Sequence, residues 1–168
     1  MKIVTLLVSL AVLSTTALAD QSQIKGDVAA NVVQVAVNSK DHSTLVTAIK
    51  TAELVDALSN PGPFTVFAPT NAAFDKLPAG TVESLLKPES KAKLQDILQY
   101  HVYLGVLRPN MLTDGLDLGQ ANGDHAAIVI KDGKKTINGA SIVASVPAAN
   151  GIVYVIDTVL LPPEKKTS

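Results

Sequence analysis

The hydrophobic positions of this chain repeat with two periods, and the change near Leu104 separates a helix-rich first half from a strand-rich second half. In DVAANVVQVAV, residues 27–37, Val28, Val32 and Val35 fall at helical spacing, and Asp27 sits where an N-cap or a first-turn anion helps. Ser43-Thr44 leads into LVTAIKTAELVDALS, where Leu45, Ala48 and Ile49 make one apolar stripe and Leu54, Ala57 and Leu58 a second. Asn60-Pro61-Gly62-Pro63 ends that region. FTVFA, residues 64–68, predicts a short buried strand. Residues 78–86 predict a small helix, broken by Lys87-Pro88. KAKLQDILQY, residues 91–100, is the clearest amphipathic helix. Leu94, Ile97 and Leu98 share a face that position 101 extends.

Beyond Leu104 the period shortens to two. Asp132-Gly133 lies between two β-prone runs in AIVIKDGKKTING and predicts a hairpin. Asn138-Gly139 and Asn150-Gly151 punctuate two further strands, SIVASV and IVYVI, and LPPEKKTS closes the chain as a tail expected to fray. With no repeat, low-complexity run or second linker, the pattern predicts one α+β domain, its strands packed face to face and its helices gathered around one end.

The N-terminus changes the setting. Met1-Lys2 precedes an apolar stretch from Ile3 to Leu13, interrupted only by Thr5 and Ser9, and Ala17-Leu18-Ala19 carries small residues where a signal peptidase requires them. The expected organisation is a signal peptide over 1–19, a domain over 20–162 and a polar tail over 163–168. The product is then secreted or periplasmic, cleaved after Ala19. The apolar stretch is roughly half the ~20 residues of a membrane span. Loss of 19 residues from 168 leaves 149, enough for one domain with a real core. Cysteine is absent, so neither a disulfide nor a lipidated thiol is expected, and burial must stabilise the fold. A net charge of −1 offers no basic excess for nucleic acid. Three Phe, three Tyr and no Trp leave few flat platforms for bases or sugars.

Candidate chemistry is sparse. His42, His101 and His125 lie far apart, without HExxH or paired-cysteine spacing. His125, in Asn-Gly-Asp-His, reads as a solvated turn rather than a metal ligand beside Asp124. No G-x-S-x-G elbow or phosphate loop occurs, and a triad from His101 and Asp157 exists only on paper. No catalytic residue, cofactor or metal is expected. The polar corner in TVFAPTNAAF, residues 65–74, has a structural reading. Pro69 ends the strand, Thr70 or Asn71 caps the next helix, and Phe74 returns to the core. His101, at the C-terminal end of the amphipathic helix, is placed to cap carbonyls with its ring. A structural role and a partner-contact role both stay open for it and for Tyr100.

PGPFTVFAPTNAAFDKLPAGTVESLLKPESKAKLQDILQYHV, from Pro61 to Val102, and GIVYVIDTVLLP, from Gly151 to Pro162, resemble the two signature regions of the fasciclin-like domain family. Tyr100-His101 stands where that family has a tyrosine–histidine pair. The resemblance implies a wedge-shaped β-sandwich of about seven strands with several helices at one side. It also implies an adhesion or interaction role, secreted or at the surface, with a cell-surface or matrix protein, a polysaccharide or another copy of the chain as partner. Neither nucleic acid nor a membrane anchor is implied. Animal members engage integrins through residues around the tyrosine–histidine pair, which maps onto Tyr100 and His101. Pro69, Thr70, Asn71, Phe74 and Asp157 fall among the structural motif residues. Tyr154 stands where a histidine is frequent, so no histidine-dependent contact carries over there. The competing expectation is a small-molecule carrier or enzyme with a pocket between sheets and helices.

Overall fold

A computed structural model describes residues 30–163. The expected signal peptide, Asp27, Val28 and residues 164–168 of the tail lie outside the described residues. The first helix, α1 (Val32–Asn38), is capped by Asn31 instead of Asp27. The Asn31 side chain accepts from the Gln34 amide at 2.9 Å, and Gln34 Oε1 accepts from the Asn31 amide at 3.0 Å. This reciprocal cap sets the rotation of the helix, so its buried stripe is Val32, Val33 and Ala36, with Val35 only half-buried.

LVTAIKTAELVDALS divides into α2 (Ser43–Thr51) and α3 (Val55–Ser59). Glu53, at φ 57°, makes the break. The Leu54 amide returns to the Ile49 carbonyl and the Glu53 amide to the Lys50 carbonyl, which is a Schellman ending built on a non-glycine residue. Of the second predicted stripe Leu58 is buried and Leu54 half-buried, while Ala57 faces solvent. Three more helices follow: α4 (Asn71–Asp75), α5 (Thr81–Leu85) and α6 (Lys91–Tyr100).

Among the described residues seven strands, β1 (Phe64–Pro69), β2 (Val102–Leu104), β3 (Asp117–Gly119), β4 (His125–Lys131), β5 (Lys134–Ile137), β6 (Ala140–Ala148) and β7 (Gly151–Ile156), pair in the order β2-β1-β7-β6-β5-β4-β3. Only β1 and β7 run parallel. The two ends of the order meet where Tyr103 bridges to Gln120 and the Ala121 amide donates to the Val102 carbonyl at 2.8 Å. The sheet is therefore a nearly closed wall. Glycine at φ 76° in Asp132-Gly133 and φ 84° in Asn138-Gly139 supplies the two tight turns, each preceded by a residue that is also left-handed.

Burial follows from this topology. One core fills the wall, with Phe67, Leu118, Ile128, Ile137, Tyr154 and Ile156 at its centre. The other lies between the helices and the outer face of β1 and β7, where Val66, Ala68 and Val153 meet Leu45, Ile49 and Leu98. Because β1 serves both cores, FTVFA is apolar without alternation. Its one polar residue, Thr65, donates to the Gly105 carbonyl at 2.7 Å and accepts from the Leu107 amide at 2.9 Å. Phe67 stacks on Tyr154 across the parallel pair, with ring centroids 5.6 Å apart.

β5 reaches β6 only at Ala140 and Ser141. Among the described residues the length of β6 from 143 to 148 is thus paired to β7 alone, and a register shift between Ile142 and Ala144 leaves Val143 bulged there with 66% of its surface exposed.

A Cβ on Gly151 would lie 1.7 Å from the Phe64 carbonyl oxygen, inside the parallel pair that joins the two cores. Gly151→Ala is expected to lower stability by about 3 kcal/mol. Chemical denaturation checks this, and an unchanged midpoint contradicts so close an approach.

Candidate functional site

The corner after β1 uses its polar atoms internally. Pro69 pairs with Ile156 as the last residue of the strand, and the Thr70 hydroxyl accepts from the Ala73 amide at 3.3 Å, capping α4. Asn71 works elsewhere. Its Oδ1 accepts from the Thr44 amide at 3.0 Å and the Ser43 hydroxyl at 3.2 Å, while its Nδ2 donates to the Lys40 carbonyl at 3.1 Å. The N-terminus of α2 has no side-chain cap from His42, so Asn71 provides one from a distant part of the chain. Phe74 packs half-buried against the helix-side core. At the far end of β7, Asp157 Oδ1 accepts from the Ser141 amide at 2.9 Å and the Thr158 hydroxyl at 3.0 Å. Lys76 Nζ donates to the Asp157 carbonyl at 2.7 Å. Partial burial raises the Asp157 carboxyl pKa, but those two donors and Lys76 outweigh it and leave the group below its ordinary value.

Tyr100 and His101 lie at the junction of α6, β1 and the wall, with 1% and 2% of their surface exposed. The Tyr100 hydroxyl donates to the His125 carbonyl at 2.9 Å and accepts a short bond from Asn138 Nδ2. Burial and nearby Asp124 raise the phenol pKa, against the pull of that Asn138 bond. His101 Nδ1 lies 2.7 Å from the Ile97 carbonyl, and Nε2 accepts from the Leu160 amide at 2.9 Å. That pairing requires the neutral Nδ1–H tautomer. The His101 carbonyl takes the Phe67 amide at 2.8 Å. The pair therefore joins α6 to β1, to the start of β4, to the β5–β6 turn and to the C-terminal segment. In this conformation neither ring offers a free atom to a partner. The same occupancy leaves His101 no lone pair with which to act as a base in a triad with Asp157.

One other residue differs from its expected setting. His125 begins β4 rather than lying in a turn, and its Nδ1 pairs with Asp117 Oδ2 at 2.9 Å in solvent. Tyr154 is sealed inside the wall. Its hydroxyl donates to the Leu107 carbonyl at 2.7 Å, and burial pushes its pKa up to about 12. No group of three metal-ligating side chains forms among the described residues. Sequence reasoning did not single out the outward residues of β6. Ile142-Val143 breaks the alternation of SIVASV, and that pair of adjacent apolar residues was the available signal of a bulge.

Comparison with known proteins agrees with this architecture. The model of the fasciclin domain matches residues 40–162. Protein sll1483 of Synechocystis is 50% identical over 143 residues, covering 84% of this chain and 79% of the relative. Cell surface glycolipoprotein MPB83 of Mycobacterium bovis is 42% identical, over 79% of this chain and 60% of its own length. Transforming growth factor-beta-induced protein ig-h3 of Sus scrofa is 38% identical, over 74% of this chain and 18% of its own length. A domain pair from the insect cell adhesion molecule fasciclin I superposes with a TM-score of 0.69 at 19% identity, over 79% of this chain and 51% of that one.

Two predictions follow from the geometry. Burial holds His101 down to about 4, below the 6.5 of a free ring, so the unfolded chain takes a proton there that the folded chain refuses. Its contribution is complete above pH 6.5 and falls as pH drops towards 4, by about 3 kcal/mol in all. His42, also lowered by burial, titrates in the same direction. Urea denaturation across that window is expected to show a steep slope that His101→Gln reduces but does not abolish. Separately, Asn71→Ala is expected to cost about 2 kcal/mol and Thr70→Ala about 1, since Asn71 serves two segments. Equal midpoints for the two variants contradict the remote cap.

Proposed function

The chain belongs to the fasciclin domain family, and from that premise we propose that it works as an exported adhesion module that binds without turnover. It holds a second copy of itself, or another protein's extended strand, along the free edge of β6. Release after Ala19 delivers it to the periplasm or cell surface. The observation that carries the reading is the length of β6 from 143 to 148, which among the described residues is paired on one side only and bears the exposed, bulged Val143. An edge of this kind presents backbone donors and acceptors to an incoming strand, and an apolar side chain beside them adds contact area.

Other features support it. Tyr100 and His101 are spent inside, so contact passes to the surface whose shape they hold. Pro147 removes one backbone donor from β6, which favours reversible over permanent pairing. A single weak site suits a protein displayed in many copies. Among the relatives, MPB83 is named a cell surface glycolipoprotein, and fasciclin I a cell adhesion molecule.

Sedimentation velocity over a wide concentration range tests the proposal. Reversible dimers are expected in the wild type, and Val143→Lys, which places a charge on the edge without touching either core, is expected to weaken them about tenfold. Dimers of undiminished affinity in that variant, or a strictly monomeric wild type that also fails to bind envelope proteins, would overturn it.

A further inference from the structure

Asparagine followed by glycine is a step at which the main chain can attack a side-chain amide, because no Cβ shields the next nitrogen. Three such steps occur here, at Asn122-Gly123, Asn138-Gly139 and Asn150-Gly151. The fold holds them in different ways.

At two of them the side chain is drawn away from its own glycine. Asn138 Oδ1 accepts from the Ala127 amide of β4 at 3.0 Å, and its Nδ2 donates to the Tyr100 hydroxyl. Asn150 Oδ1 accepts from the Val32 amide of α1 at 2.9 Å, while its Nδ2 donates to the Leu58 and Asn60 carbonyls, each at 2.9 Å. Gly151 is also pressed against the Phe64 carbonyl. Freeing either amide means parting segments that are distant in the chain.

Asn122 is held by its own turn. It lies between β3 and β4, and its Oδ1 accepts from the Asp124 amide, two residues on, at 3.0 Å. This closure is an Asx turn, which folds the side-chain carbonyl over the intervening Gly123 peptide. Nδ2 donates to Asp124 Oδ2 at 2.7 Å and to Asp96 Oδ1 at 3.3 Å, which fixes the amide in that orientation. The Asp124 N–H is aimed at the oxygen that gains negative charge when a nitrogen adds to Cγ. Gly123 is exposed, at φ 88°, with open space where a Cβ would stand. Its amide donates to the Gln120 carbonyl at 2.9 Å, a bond within the same turn that opens without disturbing either core.

We propose that Asn122 is a modification site, at which the folded chain deamidates to aspartate and isoaspartate. The Gly123 nitrogen bonds to Asn122 Cγ, the Cγ–Nδ2 bond breaks, and ammonia leaves with the proton the glycine amide gives up. Water then opens the cyclic imide at either carbonyl, so the sum is water consumed and ammonia released, with no oxidation or reduction. The product bears on the seam of the wall. Gln120 bridges to Tyr103 and the Ala121 amide donates to the Val102 carbonyl immediately before the modified residue. A new carboxylate replaces the donor shared by Asp96 and Asp124, and isoaspartate lengthens the main chain of the turn.

Peptide mapping by mass spectrometry tests this after ageing in mildly alkaline heavy-oxygen water, with and without urea. Unfolded, the three steps are expected to convert at similar rates. Folded, Asn122 is expected to stay within about threefold of its unfolded rate, while Asn138 and Asn150 slow by about a hundredfold or more. Slowing of Asn122 to the level of the other two, or faster conversion at either of them, overturns the proposal. Asn122→Ser keeps an oxygen for the Asp124 amide and cannot deamidate. Aged wild type is expected to unfold at lower urea than fresh protein, and aged Asn122→Ser at the same urea as before. An equal loss in that variant contradicts the link between Asn122 and the seam.

Discussion

A buried imidazole with both nitrogens committed to main chain governs this molecule. His101 sits where α6 ends and β2 begins, and it bonds simultaneously to the Ile97 carbonyl behind it and the Leu160 amide near the far end of the domain. Its own carbonyl receives Phe67 of β1. Tyr100 beside it fastens the start of β4 and the turn at Asn138. Helices and wall thus share one polar junction sealed from solvent. An unpaired atom there carries the full cost of desolvation, so the junction tolerates few arrangements other than the one observed.

That economy shapes what the surface can do. The polar groups of both signature regions are used internally: Thr70 on α4, Asn71 on α2, Asp157 on Ser141 and Thr158. What remains outside, among the described residues, is a strand edge that β5 is too short to cover. It belongs to β6, whose outer positions are relieved of packing duties by the bulge at Val143. In this fold, interior chemistry builds the frame, and binding falls to the strand the frame leaves half-covered.

Several elements decided by local interactions were legible in the sequence. The helix Lys91–Tyr100, the strand Phe64–Pro69 and the turns at Asp132-Gly133 and Asn138-Gly139 all follow from short-range pattern. The start of α1 did not, because Asn31 with Gln34 makes a reciprocal cap, whereas the residue three places after Asp27 is Ala30, which has no polar side chain to complete one. Neither did the break at Glu53, a residue with no intrinsic preference for the left-handed region. The remaining surprises are long-range. Asn71 reaching α2 and the wall closing at Tyr103 and Gln120 depend on segments that meet only after folding. No periodicity carries that information.

The state of the His101 ring is the most direct measure of whether this junction is what it is described to be. Nitrogen-15 NMR of the imidazole reads the tautomer and the titration of each ring nitrogen separately. The expected spectrum shows a protonated Nδ1 and a bare Nε2 that persist unchanged from neutral pH down towards 4. A ring that titrates near 6.5 with fast tautomer exchange would mean that His101 is open to solvent, and the pair would then be a surface contact rather than the lock between the two cores.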